Sequence, residues 1–407
     1  MIIAHKITLN PNNKQATYFA KASGVARFAY NWALGQWKLQ YDASKLAANQ
    51  PKPSQYSLRK QLNAIKAVEF PWLSEVTKCA PQMAIIQLGD AFSRFFKGQN
   101  DYPTVKKKGI HDSFTLSNDP FRIEGSRIRI PNLGWVRMRE SLRFTGKVLS
   151  ATVSRRADKW FVSMTVDTED KPKRAAENQG SIGVDLGVAT LATLSTGAKV
   201  ANCKALGSSL EKLKRLSRQL SRKVKGSGNY RKAKLKLAKL HGKIADLRAD
   251  TLHKLASDLT SRFDTIAIED LNVKGRVKNR CLARAISDVG FGEFRRQLVY
   301  KSALRGNELV VIDRWFPSSK TCLCCGHKLD SLPLSVREWT CPLCFSVHDR
   351  DINAAKNLLG LAITQLQATA SSAGSNACGE VSAGRVCKNP VKLTSVKQEN
   401  NAKLSFG

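Results

Sequence analysis

Acidic residues are scarce in this chain: 32 Asp and Glu stand against 67 Lys and Arg, which leaves a net charge of +35. Solubility alone asks for only a modest net charge, so the imbalance argues against a protein that works without a polyanionic partner. Nucleic acid fits best, because each phosphate neutralised by Lys or Arg releases counterions whatever the base sequence. A ribosomal or chromatin-like binder would satisfy the charge equally well, so charge names the partner and leaves the chemistry open. Long apolar runs are missing too. No stretch reaches the roughly 18 residues that a membrane-spanning helix needs. The opening M-I-I-A-H-K-I-T-L-N lacks the apolar core and cleavage site of a signal peptide, so a cytoplasmic protein is expected. There is no His-x-His pair to accompany a tyrosine nucleophile, which removes support for a DNA-strand transferase. The ten cysteines are unevenly spread: Cys322, Cys324, Cys325, Cys341 and Cys344 crowd together. In a reducing compartment that crowding reads as metal ligation and not as a disulfide framework.

The few acids fall at telling places. Ser181 to Thr190 reads S-I-G-V-D-L-G-V-A-T and carries Asp185 inside an apolar run, with Leu191 and Leu194 extending the pattern. The run predicts a strand buried on both faces, where a carboxylate costs several kcal/mol unless something cationic meets it. Thr265 to Asn272, T-I-A-I-E-D-L-N, repeats the oddity with Glu269 and Asp270. A third cluster, His348-Asp349-Arg350-Asp351, precedes the helical pattern Ile352 to Leu361. One at a time, these acids read as a turn, a solvated strand end and a helix cap. Together they point to one shared divalent-cation site. Hard oxygen ligands suit Mg²⁺, and two such ions roughly 3.5 to 4 Å apart clamp a phosphodiester for hydrolysis. Strand, strand and helix is the order of an RNase H-like nuclease core.

Cys322-x-x-Cys325 and Cys341-x-x-Cys344 form two knuckles, with Gly326 as the turn residue after the first. Four thiolates select Zn²⁺ and leave no open position for water, so the site is expected to be structural. Cys324 is the spare thiol. The ribbon stands between Glu269 and Asp351, so its folding is expected to help set where Asp351 lies.

At G-V-D-L-G, I-E-D-L and H-D-R-D-I-N-A-A-K-N, together with the paired cysteines, the chain resembles the TnpB (OrfB) proteins of bacterial insertion sequences, relatives of the type V CRISPR effector nucleases. The resemblance runs over almost the whole chain. It implies RNA-guided cleavage of DNA, with Asp185, Glu269 and Asp351 as catalytic acids and Mg²⁺ ligands (two ions, Mn²⁺ as the alternative). It further implies structural Zn²⁺, a guide RNA from the element's own locus, double-stranded target DNA, and one protein copy in the ribonucleoprotein. The alternative is a non-cleaving RNA- and DNA-binding accessory protein or repressor, which would have no need of the three acids.

The expected architecture is a multidomain α/β chain with a β-barrel. An OB-like wedge spans 1–45 and 100–180, its second part ending in a linker from Glu169 to Gly180, and a helical recognition insert fills 46–99. The RuvC-like core spans 181–320 and 347–366, with a basic helical hairpin at 207–260 and the zinc ribbon at 321–346. A disordered tail is expected from 367, holding unpaired Cys378 and Cys387 and an N-A-C-G-E stretch. Helices are predicted from Pro11 onward with Phe19, Ala22, Val25, Phe28 and Trp32 inward, over Tyr56–Val68 and Pro81–Phe96, and over Ala283–Leu304. Short strands are predicted at Ser113–Leu116, Arg127–Ile130, Gly134–Met138, Lys159–Met164 and Glu308–Asp313. Candidate nucleic-acid contacts are Arg27 among the aromatics of the first helix, Lys107 in a basic run, and Arg218, Arg222, Lys232 and Lys236 on the hairpin. By the resemblance, Tyr56, Lys78 and Gln82 are candidates for reading a short flanking motif. Arg350 is expected to steady the scissile phosphate, and Asn353 to support the carboxylates by a hydrogen bond.

Overall fold

A computed structural model describes residues 1–46, 50–117, 121–168 and 179–374, the last five as backbone only. Most of the expected 169–180 linker, the tail beyond 374, Cys378, Cys387 and the N-A-C-G-E stretch lie outside the described residues. The rest falls into two compact units that divide between 168 and 179.

The first unit opens with β1 (Ile2–Asn10), followed by α1 (Asn13–Leu46), α2 (Gln55–Glu69) and α3 (Cys79–Phe96). Six strands come next: β2 (Ser113–Ser117), β3 (Arg122–Glu124), β4 (Arg127–Ile130), β5 (Gly134–Met138), β6 (Lys147–Arg156) and β7 (Lys159–Asp167). They form one antiparallel sheet in the order β2-β6-β7-β1-β5-β4-β3. The first strand lies deep inside it, pairing with β7 from Ile2↔Asp167 to Leu9↔Trp160. Strand alternation sends Ile7, Leu9, Val162, Met164 and Val166 inward. Phe19 of α1 packs edge-on to Trp160, with centroids 5.2 Å apart, and further along the same helix Trp37 stacks on Phe92 of α3 at 4.3 Å. One continuous core therefore joins sheet and helices. Ser54 starts α2 with a capping box shared with Ser57.

The second unit contains β8 (Ser181–Leu186), β9 (Thr190–Leu194), β10 (Lys199–Ala201), α4 (Leu210–Ser221), α5 (Gly228–Arg262), β11 (Thr265–Glu269), α6 (Val273–Val277), α7 (Ala283–Val289) and α8 (Phe291–Arg305). β12 (Glu308–Ile312), β13 (Glu338–Thr340), β14 (Val347–Asp349) and α9 (Arg350–Gly374) complete it. The sheet order is β10-β9-β8-β11-β12, with β8, β11 and β12 parallel. Both faces are covered. Ile182, Val184, Ile266 and Ile268 pack with Leu252, Leu255 and Leu259 of α5 and with Phe294 and Leu298 of α8. On the other face Ala267 and Ile312 meet Leu358 and Ala362 of α9. Gly183 makes that approach possible: a Cβ placed there would stand 2.0 Å from the Ala355 carbonyl oxygen.

Three expectations need correction. Ser181–Leu194 is not one strand but an antiparallel pair, turned where a Cβ on Gly187 would come within 2.8 Å of the Thr190 carbonyl oxygen. Ala283–Leu304 is two helices broken at Gly290, whose φ of +79° suits glycine and whose open flank receives Arg248 and Leu252. The final helix reaches Gly374, past the point where disorder was expected. β3 and β6 were not anticipated, because the first has three residues and the second buries little more than Ala151 and Val153. The hairpin is present. Leu240 and Ile244 of α5 meet Leu213 and Leu216 of α4, while Leu247 of α5 is 43% exposed.

The packing carries a prediction. Gly183→Ala should destabilise the protein by about 1–3 kcal/mol or more, because the new methyl meets backbone that cannot yield. Gly242→Ala, in the interior of α5 with nothing within 4 Å, should stabilise it by about 0.5–1 kcal/mol. Denaturant midpoints of the two variants should move in opposite directions.

Candidate active site

Strand alternation brings the acids together. Because Gly183 and Ala267 face α9, Asp185 and Glu269, each two residues further along, fall on that same side. The parallel register runs Ala267↔Gly183 and Ile268↔Val184, so the two acids occupy the next step at the carboxyl ends of neighbouring strands. Asp351 sits in the first turn of α9. Asp349 caps that turn, its Oδ1 accepting from the Asp351 and Ile352 N–H groups at 3.0 Å, while its Oδ2 takes Lys199 Nζ at 2.7 Å. Burial opposes ionisation of Asp349, but these hydrogen bonds prevail and hold its carboxyl below the usual range.

Removal from water pushes the Asp185 carboxyl up to about 7, helped by the charges of Asp351 and Glu269 and resisted by Arg350 and Arg276. Glu269 is also raised, chiefly by burial, with Arg276 opposing. Two of the acids are drawn to arginines of their own: Arg276 Nη2 lies 3.8 Å from Glu269 Oε1, and Arg337 Nη1 lies 3.6 Å from Asp351 Oδ2. In this arrangement the three carboxylates are not all within 4.8 Å of one another. Asp270, beside Glu269, accepts from both Arg295 and Arg314.

The sulfurs of Cys322, Cys325, Cys341 and Cys344 do lie mutually within 4.8 Å. Cys322 and Cys344 are 3.5 Å apart and Cys325 and Cys341 3.6 Å, close to the edge of about 3.8 Å that a tetrahedron of Zn–S bonds requires. Gly326 N donates to the Cys322 carbonyl and Phe345 N to the Cys341 carbonyl, both at 2.9 Å, which closes the two knuckles. Hydrogen bonds from Ser346 lower the Cys344 thiol to about 6. Buried His348, with its Nε2 3.0 Å from Cys322 Sγ, pairs across the β13–β14 hairpin with Trp339. One step on is Asp349, and then α9, so the cysteine hairpin runs directly into the helix that bears Asp351.

Asn353 does not support the carboxylates. Its Oδ1 accepts from Leu323 N at 3.1 Å and its Nδ2 donates to the Thr321 carbonyl at 2.8 Å. Asn357, which sequence reasoning gave no role, donates to the Ser318 and Thr321 carbonyls at 2.8 and 2.7 Å. The spacing of the two in N-A-A-K-N, one helical turn, was the available signal. Arg350 donates to the Pro333 carbonyl at 2.8 Å. Arg27 is held by Asp112 at 3.3 Å, which ties α1 to the segment before β2. Tyr56, Lys78, Gln82, Lys107, Arg218, Arg222, Lys232 and Lys236 are all exposed, and the Arg59 guanidinium lies over the Tyr56 ring at 5.1 Å. Among the described residues no helix is long and apolar enough to cross a membrane.

Residues 162–280 match a family model for the OrfB proteins of IS605-type elements, described as "Probable transposase". Residues 291–358 match the Cas12f1-like TNB domain, and 1–45 match a model described as a helix-turn-helix domain; here that last stretch is β1 and the single helix α1. A Streptomyces pristinaespiralis protein named "Putative RNA-guided DNA endonuclease" is 37% identical over 97% of this chain and 96% of its own. InsQ of Escherichia coli K12, given the same description, is 32% identical over 95% and 96%. The solved Cas12f1–sgRNA–target DNA complex aligns over 85% of this chain and 83% of its own, with a TM-score of 0.55 at 15% identity. The fold is thus that of a TnpB/Cas12-like multidomain protein. The chain belongs to the TnpB (OrfB) family.

The raised Asp185 predicts a pH effect. Its folded value of about 7 lies above the ordinary 3.8, so the group favours folding fully below about pH 4, and the advantage is lost as pH rises through 7. In metal-free protein, Asp185→Asn should flatten the fall in melting temperature between pH 4 and 7. A fall as steep as the parent's would refute the assignment.

Proposed function

We propose that this chain is an RNA-guided DNA endonuclease whose RuvC-like core hydrolyses phosphodiesters at Asp185, Glu269 and Asp351. One observation carries the reading: Asp185 and Glu269, 84 positions apart in sequence, end adjacent parallel strands on the face that α9 covers, and Asp351 opens that helix. A binder without chemistry gains nothing from placing Asp351 and Glu269 where they raise the proton affinity of Asp185. The basic surfaces serve either reading; the half-buried, convergent acids favour the nuclease over the accessory protein or repressor.

The donor chemistry fits divalent cations. The three acids carry more negative charge than the nearby arginines neutralise at close range, and all are hard oxygen donors suited to Mg²⁺, with Mn²⁺ as the substitute. Bound there, the ions would supply an activated water and stabilise the leaving oxygen. The chain's own residues do the rest. Asp185, Glu269 and Asp351 would hold the ions as deprotonated carboxylates, Arg276 and Arg337 stand beside Glu269 and Asp351 at 3.8 and 3.6 Å, and Asp349 with Lys199 keeps the first turn of α9 in place. Cys322, Cys325, Cys341 and Cys344 would hold structural Zn²⁺. The exposed bases of the α4–α5 hairpin face nucleic acid, guide pairing supplies sequence specificity, and residues 1–168 take the wedge and recognition roles, with Tyr56, Lys78 and Gln82 at the flanking motif.

The chain, co-expressed with the non-coding RNA of its locus, should cut a plasmid library randomised beside a guide-matched target in Mg²⁺. Asp185→Ala should lower cleavage by at least about a thousandfold and leave RNA-dependent target binding intact; binding without cutting in both proteins would establish the repressor reading instead. Stripping zinc, or Cys341→Ser, should cut the rate by more than about tenfold although no carboxylate is altered. Metal content measured beside activity tests this, and zinc-free protein with full activity would separate the ribbon from catalysis.

A further inference from the structure

Trp315 is 84% exposed, more than any other Trp among the described residues. It does not hang on a loose loop. Trp315 N donates to Asp313 Oδ1 at 2.8 Å and Phe316 N to the Asp313 carbonyl at 3.1 Å. Phe316 packs into the core beneath α9, and the following carbonyls of Ser318 and Thr321 are held by Asn353 and Asn357. A braced turn thus presents a bare indole to solvent immediately after β12.

Its position gives the exposure a use. Ile312 pairs with Glu269 in the parallel register, and Asp270 N donates to the Ile312 carbonyl at 2.8 Å. Arg314, next to Trp315, and Arg295 converge on the Asp270 carboxylate. That trio carries one net positive charge. Each guanidinium has five N–H donors, and each is bound to Asp270 through one nitrogen, so both keep donors for an anion.

We propose that Trp315, Arg314 and Arg295 form a nucleotide subsite for single-stranded DNA beside Glu269. A base stacks on the indole and its phosphate meets the two arginines. Aromatic stacking with backbone cations is the sequence-tolerant way to hold a single strand, and it suits a site where guide pairing supplies the specificity. The inference rests on the nuclease reading for its purpose, while the subsite itself is tested by binding alone.

The guide-loaded full-length chain, in an Asp185→Asn background so that nothing is cut, is titrated with a short oligothymidine labelled with a fluorophore. Trp315→Ala should weaken binding about 5- to 100-fold, and Trp315→Phe, which keeps a stacking face, by no more than about threefold. Arg314→Gln should reduce the salt slope by about one. Melting temperatures of the Trp315 variants should match the parent's, because the side chain is exposed. The same oligonucleotide carrying 5-iodouracil should crosslink to the peptide that contains Trp315. Alanine binding within twofold of the parent, or phenylalanine as weak as alanine, overturns the subsite. If the unsubstituted chain cuts guide-matched DNA and Trp315→Ala binds normally, the subsite falls and the nuclease stands. If the unsubstituted chain never cuts, the nuclease reading falls and the titration still decides the subsite.

Discussion

The close seating of α9 on β8 is the contact on which the second unit depends. Only a residue without a Cβ lets the Ala355 carbonyl come so near the strand, and Ala354 and Ala355 keep the helix surface equally thin. Everything on that face of the sheet is set by this distance. A strand's two-residue period then does the rest: the positions beside the helix are Gly183 and Ala267, and the next ones on the same side are Asp185 and Glu269. The motif G-V-D-L-G is therefore a packing instruction as much as a chemical one. Its first glycine admits the helix, its carboxylate meets what the helix brings, and its second glycine turns the chain into β9.

Placing acids there creates an electrostatic problem that the arginines solve only in part. Asp185 carries the burden, its carboxyl pushed up to about 7 by removal from water and by the charges of Asp351 and Glu269. Glu269 and Asp351 reach Arg276 and Arg337, but at 3.8 and 3.6 Å these are loose pairs involving half-exposed guanidiniums, of the sort that contributes little to stability. Asp270, in contrast, is gripped by two arginines and held below the usual carboxylate range, first by the hydrogen bond from Arg314. Adjacent residues on one strand end thus have opposite fates: one carboxylate is committed to structure and its neighbour is left available.

Much of this was legible in the sequence because the decisive signals are local. An acid inside an apolar run, glycines at fixed offsets and paired cysteines each carry their own physics. So did the helical spacing of Phe19, Ala22 and Val25, all buried. What escaped was non-local or masked by composition. The break at Gly187 hides because β8 and β9 share one apolar alphabet, and the break at Gly290 because helical spacing resumes on the other side. Arg27 read as a free cation because its partner, Asp112, lies 85 residues away. Asn353 was assigned to the nearest carboxylates by proximity in sequence, whereas its partners lie some 30 residues upstream.

Those asparagines explain how the cysteine hairpin can stand between Glu269 and Asp351 without loosening the packing of α9 on the sheet. The insertion leaves the sheet after β12 and must return in register for Asp351 to fall beside Asp185. Asn353 and Asn357 fasten its outgoing strand to α9 through Ser318, Thr321 and Leu323, and the Arg350 N–H closes its returning strand on the Arg337 carbonyl at 2.8 Å. His348, the last buried residue before the cap, lies against both Cys322 and Trp339. The ribbon is thereby tied to α9 at both of its ends, and the helix takes its starting point from it. A rigid, thiolate-lined knot is then a reasonable device here: with so few apolar residues of its own, this hairpin could not hold that register by packing alone.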